Sequence, residues 1–255
     1  MSTTTMTRPL DTPVPAQTRS WRERIHAPRE PLDDHILPDY TQGEEIFNMV
    51  THIVGAAMSL IFLMLSLFQS LAHRSVVGIV TGTLFAISML VCYTISSVYH
   101  GIPTTHPDQV RAKKAMQVLD HCDIYFLIAG TYTPIAMGAL RTAYPVLAYL
   151  TLSIVWGVCL LGTVFTAIDF HKYGPLSYAC YFVAGWSVLV AIPTMWKVYS
   201  PDFVVLLLAG GVVYTTGMIF FVRQVKGHRY AHSVFHLFIL AGSVLQFLSI
   251  FLYCL

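Results

Sequence analysis

Seven stretches of this chain contain no Asp, Glu, Lys or Arg: residues 46–72, 75–105, 124–140, 142–168, 173–196, 203–222 and 230–255. A helix needs about 20 apolar residues to cross the hydrocarbon core of a bilayer. Each stretch is close to that length or longer. The third is short unless its helix starts earlier, near Val118, which places Asp120 and Asp123 inside it. A closed barrel would instead show alternating segments of about 10 residues, and these stretches do not alternate. The pattern predicts an all-α membrane protein with seven transmembrane helices and no internal repeat.

Composition supports this and excludes other classes. Of the 255 residues, 11% are charged and 55% hydrophobic, whereas a soluble domain carries about 25% charged residues. The first 45 residues take thirteen of the 28 charges, which leaves five acids and ten bases for the remaining 210. A soluble enzyme and a nucleic-acid binder are excluded, and a formal net charge of +2 is no phosphate-binding signal. Residues 1–43 hold six of the thirteen prolines and show no apolar period. They read as a disordered, polar, Pro-rich cytosolic tail without the apolar core of a secretory signal. Residues 44–255 read as the seven-helix domain. The five cysteines lie in or beside apolar stretches, show no metal or disulfide spacing, and read as small buried hydrophobes.

The bases set the orientation. Arg8, Arg19, Arg22, Arg24 and Arg29 in the tail share one side with Arg111, Lys113, Lys114, Lys172, Arg223, Lys226 and Arg229 in the loops. The other side holds Arg74, Arg141 and Lys197. By the positive-inside rule the N-terminus is cytosolic and the C-terminus outside. The location that follows is a multi-pass position in the plasma (inner) membrane, with membrane lipids as the surrounding partners.

Ionisable groups within membrane helices are functional candidates by default. Here they gather at one set of helix ends. Glu44, Glu45, Asn48 and His52 open the first helix, His100 closes the second, Asp120, His121 and Asp123 open the third, and His232 and His236 open the last. With the topology above, all of these ends face the cytosol. At about 1.5 Å per residue, Asp120 lies about 9 Å beyond Lys114 and His236 about 10 Å beyond Arg229, so the side chains share a layer. His232 and His236 are four residues apart and project from one helix face. Two imidazoles so spaced can grip a metal ion, or serve interhelical hydrogen bonding or a proton relay. His100 is the best third ligand; three neutral imidazoles around zinc leave a fourth position open. Asp120, or Ser96 one turn before His100, would then hydrogen-bond a water at that position or orient a ligand. His52 reads as a ligand or, better, as a structural partner of Glu45 or Asn48.

Several motifs resemble those of the hemolysin III family: Glu45–Ile46–Phe47–Asn48–Met49–Val50–Thr51–His52, Ser96–Ser97–Val98–Tyr99–His100, Leu119–Asp120–His121 continuing to Ile128–Ala129–Gly130–Thr131–Tyr132–Thr133–Pro134, and His232–Ser233–Val234–Phe235–His236. The likeness covers residues 44–255 in order and spacing. That family is the bacterial branch of the larger group containing the adiponectin and progestin receptors and the alkaline ceramidases. The resemblance implies a seven-helix fold with its N-terminus inside and a cytosol-facing zinc site. It places the zinc ligands on His100, His232 and His236, the group's acid on Asp120 and its serine on Ser96. Asp123 departs from the family pattern, in which that position is small or polar.

Two function classes follow. One is a zinc-dependent intramembrane hydrolase of a lipid amide, such as a ceramide, or of a lipid ester, with Asp120 accepting a proton. The other is a receptor-like or cytolytic membrane protein in which zinc is structural. The sequence leaves open whether the chain is an enzyme.

Overall fold

The computed structural model describes residue 32, residues 35–225 and residues 227–255. The reading of residues 1–43 as a disordered tail falls largely outside the described residues, together with Arg8, Arg19, Arg22, Arg24, Arg29 and Lys226. The described residues form helices without strands: α1 Gln42–Ala72, α2 Val76–Gly101, α3 Pro107–Ile135, α4 Pro145–Ile168, α5 Gly174–Trp186, α6 Ile192–Val198, α7 Pro201–Val225 and α8 Ala231–Tyr253. Consecutive long helices run in opposite directions. α1 packs along α2, α2 along α3, α3 along α4, α7 along α8, and α8 returns to α1.

The bundle has an apolar core built around Phe85, Met89, Tyr125, Met195 and Phe203, yet α1 turns its apolar side outward. The buried face of α1 runs Glu44, Asn48, His52, Gly55, Ser59, Phe62, Ser66, Ser70, a seam of small and polar residues at helical spacing. Its Leu, Ile and Phe side chains face outward, with Phe68 73% exposed. In a membrane such seams let backbones approach closely while lipid covers the apolar exterior. Among the described residues five helices are long and apolar enough to cross a bilayer, or six when α5 and α6, bent by 52°, form one span.

α3 departs from the expected bounds. Pro107 opens it at the first helical position, where a missing N–H is harmless, and the His106 N–H donates to Gln109 Oε1 at 3.2 Å. The helix therefore begins well before Val118 and carries Asp108, Arg111, Lys113, Lys114 and Asp120 in its first half, with Asp123 just past its middle. Its other end is irregular. Pro134 sits inside the helix, a π-helical turn follows at Ala136–Leu140, and Gly138 leaves the helical region with ψ −136°. Proline removes one ladder bond and crowds the carbonyl four residues back.

The expected fifth span, 173–196, is broken as well. α5 ends at Trp186, a tighter 3-10 turn covers Ser187–Val190, and α6 restarts with Pro193 in its first turn. Each break is bridged by one tyrosine. Tyr199 donates to the Ile135 carbonyl at 2.8 Å and accepts from the Leu140 N–H at 3.3 Å. Tyr132 donates to the Gly185 carbonyl at 2.8 Å and accepts from the Val188 N–H at 2.9 Å. Irregular backbone at membrane depth survives only where protein groups satisfy it. Tyr199→Phe is expected to orphan two buried backbone groups, at about 1–3 kcal/mol each. Thermal unfolding in detergent should show a lowered midpoint with unchanged metal content; an unchanged midpoint would mean the bridge is idle.

Candidate metal centre

At the end of the bundle where α1, α3 and α8 begin and α2 ends, the polar layer expected from sequence is assembled. His100 is 3% exposed in the last turn of α2, and His232 and His236, at 7% and 1%, lie in the first two turns of α8. The first turn of α8 is held by α1. Thr41 and Glu44 form a reciprocal cap: the Thr41 N–H donates to Glu44 Oε2 at 2.8 Å and the Glu44 N–H donates to Thr41 Oγ1 at 3.3 Å. The same carboxylate accepts from the Tyr230 N–H at 2.7 Å and from Arg229 Nη1 at 3.3 Å. Tyr230 has φ +55°, so this non-glycine residue makes the sharp entry into α8 in the left-handed region. Ser233 donates to Asn48 Oδ1 at 2.7 Å, a second tie between the two helices.

One nitrogen from each of His100, His232 and His236 lies within 4.8 Å of the others. Among the described residues this is the one group of three such side chains close enough to share an ion. The hydrogen bonding fits a metal. Thr51 donates its hydroxyl hydrogen to the Asn48 carbonyl at 2.9 Å. Its oxygen is therefore the acceptor for His236 Nδ1–H, 3.3 Å away, and His236 Nε2 carries the bare lone pair. That nitrogen sits 3.1 Å from His232 Nε2. Tetrahedral ligation at about 2.0–2.1 Å requires ligand nitrogens about 3.3–3.4 Å apart. His100 Nε2 and His232 Nδ1 are buried without a hydrogen-bond partner.

Other residues surround the triad. Tyr40, just before α1, places its ring 5.7 Å from that of His100 and 5.3 Å from that of His232, covering the end of the site. Burial, helped by the neighbouring Tyr99 and by Glu45, pushes its phenol well above the usual value, so it stays neutral. His52 stacks on His236 with centroids 3.7 Å apart and meets Tyr93 edge-on at 5.0 Å. The partner expected for it from sequence, Glu45 or Asn48, is replaced by these two rings. Glu45 is engaged elsewhere, with His100 Nδ1 and Lys113 Nζ, each at 2.7 Å.

A cavity of about 200 Å³ opens from His232 and His236 toward the middle of the bundle. Ser96, Asp120, His52 and His121 join His232 and His236 at its polar end, and it runs past Leu127, Trp186 and Ile239 to Gln246. Asp120 and Ser96 are thus brought to the cavity that the two α8 histidines line, and neither belongs to the group of three that can share an ion. Asp123 goes the other way. It is buried against the Cys92 thiol of α2 and does not line the cavity.

Sequence reasoning missed two features. Lys113 looked like a solvated loop base, yet it is 3% exposed. Tyr40 looked like part of the tail. No spacing signal links either to the histidines, because their partners lie on other helices.

Known proteins resemble this chain over most of its length. Residues 40–247 match a family described as "Haemolysin-III related". The chain is 34% identical over 212 residues to a Bacillus cereus protein named "Hemolysin-3", covering 83% of this chain and 92% of that one. It is 34% identical over 216 residues to a Bacillus subtilis "Hemolysin-3 homolog", covering 84% and 96%. A distant relative is the human "Monocyte to macrophage differentiation factor", 23% identical over 174 residues, covering 68% and 70%.

Proposed function

The chain belongs to the haemolysin-III related family, and from that premise we propose that it is a seven-helix membrane protein whose triad His100, His232 and His236 holds Zn²⁺ for hydrolysis of a lipid amide or ester. The observation that carries this reading is the buried triad of imidazoles, two of which, His232 and His236, line a largely apolar cavity together with Asp120 and Ser96. Zinc, when bound, supplies Lewis acidity toward a carbonyl oxygen. The chain supplies the rest. The apolar walls past Leu127 and Ile239 accept an acyl chain and exclude bulk water. Asp120 takes a proton from the attacking water, and Ser96 orients that water by a hydrogen bond. Purified protein should release fluorophore from a fluorescent ceramide or lipid ester, and a chelator should stop it. Failure across both lipid classes removes the hydrolase reading.

A second reading, with zinc purely structural, is favoured by the triad's position tying α2 to α8. It predicts that chelation lowers the unfolding midpoint and that no lipid is turned over.

The seven spans are α1, α2, α3, α4, the α5–α6 pair, α7 and α8, with the triad end in the cytosol because twelve of the fifteen bases fall on that side. Arg111 and Lys197 are both exposed and fall on opposite sides in this topology. An impermeant maleimide added to intact cells is expected to label Lys197→Cys, and Arg111→Cys only after permeabilisation. The reverse pattern inverts the topology.

A further inference from the structure

One ionic chain at the polar end is not explained by the metal ligands alone. Glu45, in the first turn of α1, bridges two groups: Oε2 meets His100 Nδ1 at 2.7 Å and Oε1 meets Lys113 Nζ at 2.7 Å. The Lys113 side chain is 4% exposed. Its ammonium also donates to the Ile102 carbonyl at 3.0 Å and lies 5.3 Å from the centre of the Tyr99 ring. Ile102 is the residue that ends α2, two positions after His100. Lys113 therefore grips the end of the helix carrying His100 and also the carboxylate bound to its ring. A base serving only to set topology would stay in water. This one is drawn in, and its charge is met by a carboxylate and by the negative end of a helix.

An ionised carboxylate only accepts hydrogen bonds. His100 Nδ1 therefore carries the ring proton, and the lone pair is on Nε2, which is buried without a partner. A hydrogen bond from the far ring nitrogen to a carboxylate is the standard way to fix a ligand histidine's tautomer and rotation.

We propose that Glu45 and Lys113 are a positioning pair for the metal centre: Glu45 fixes the tautomer and ring orientation of His100, and Lys113 fixes Glu45. This rests on the metal reading given above. The pair acts by geometry rather than by charge, and the two modes give opposite signs at Lys113. A carboxylate acting by charge would attract a dication more strongly once its compensating ammonium is gone. A carboxylate acting by orientation loses its anchor, and affinity falls.

The test is zinc affinity of the purified full chain by chelator competition, with the visible spectrum of the Co²⁺-loaded protein as a second readout. Glu45→Ala should weaken zinc binding by about 10–100-fold, the range for partners of ligand histidines. Glu45→Gln, which keeps an acceptor for Nδ1–H, should retain most of the affinity. Lys113→Met should weaken binding and shift the Co²⁺ bands, because the ring is no longer held. Tighter or unchanged zinc binding in Lys113→Met overturns the proposal, as does equal loss in the Gln and Ala variants. Should Glu45→Ala fail to fold, the Gln and Met variants decide. A wild-type protein that binds no zinc overturns the metal reading and this proposal with it; zinc in wild type with unaffected variants overturns this proposal alone.

Discussion

His236→Ala is expected to strip the protein of its metal. Wild type should carry about one equivalent of zinc, as three imidazoles with one open position imply. The Ala variant keeps only two nitrogens, on different helices, and should fall to a small fraction of an equivalent after dialysis. His236 is 1% exposed and stacked on His52, so some stability is lost with the ring. Metal content measured on folded, monodisperse protein separates the two effects. Equal zinc in wild type and variant would remove His236 from the ligand set.

Asp120→Asn is expected to abolish turnover while sparing the metal. The side chain lines the cavity beside Ser96, His232 and His236 and is not one of the three groups placed to share an ion. An ionised side chain at the centre of a membrane helix is unfavourable by about 2.5–3.5 kcal/mol on insertion scales and by less toward the ends, and a dication held by the triad would offset that. Asn preserves shape and one acceptor but cannot take a proton. Loss of a general base lowers rates by about 10²–10⁴-fold. The measurement is lipid hydrolysis and zinc content on one sample. Full turnover in the Asn variant would remove Asp120 from the mechanism; loss of zinc along with turnover would make it a ligand instead.

Most of the helix positions were legible because lipid imposes one rule on every exposed position, and runs without charge mark it. The places where the reading slipped have local causes. α3 starts at Pro107, ahead of the apolar run, because a helix can extend beyond the bilayer with charged turns. The stretch 173–196 breaks because a tyrosine from another helix, Tyr132, satisfies the backbone that the break exposes. The histidines could be grouped from depth and topology alone, since helix rise converts residue counts into heights. Rotation about each helix axis is not encoded that way. Hence Asp123, one turn from Asp120, was ambiguous until α2 was seen beside it, and His52 found a stacked ring instead of a carboxylate. Lys113 was the least legible, because a buried lysine and a loop lysine look alike in sequence.

The two interrupted helices divide the scaffold by how its backbone is held. Both interruptions lie in the half of the bundle away from the triad, and α1, α2 and α8 run unbroken through Glu45, His100, His232 and His236. The histidine end thus stands on continuous backbone hydrogen-bond ladders. The far end of the cavity is walled in part by Tyr132, Gly185 and Trp186, where a single hydroxyl replaces the regular ladder. The scaffold is thus divided: the end carrying the histidines rests on regular helix, and the end that closes the cavity rests on tyrosine hydroxyls.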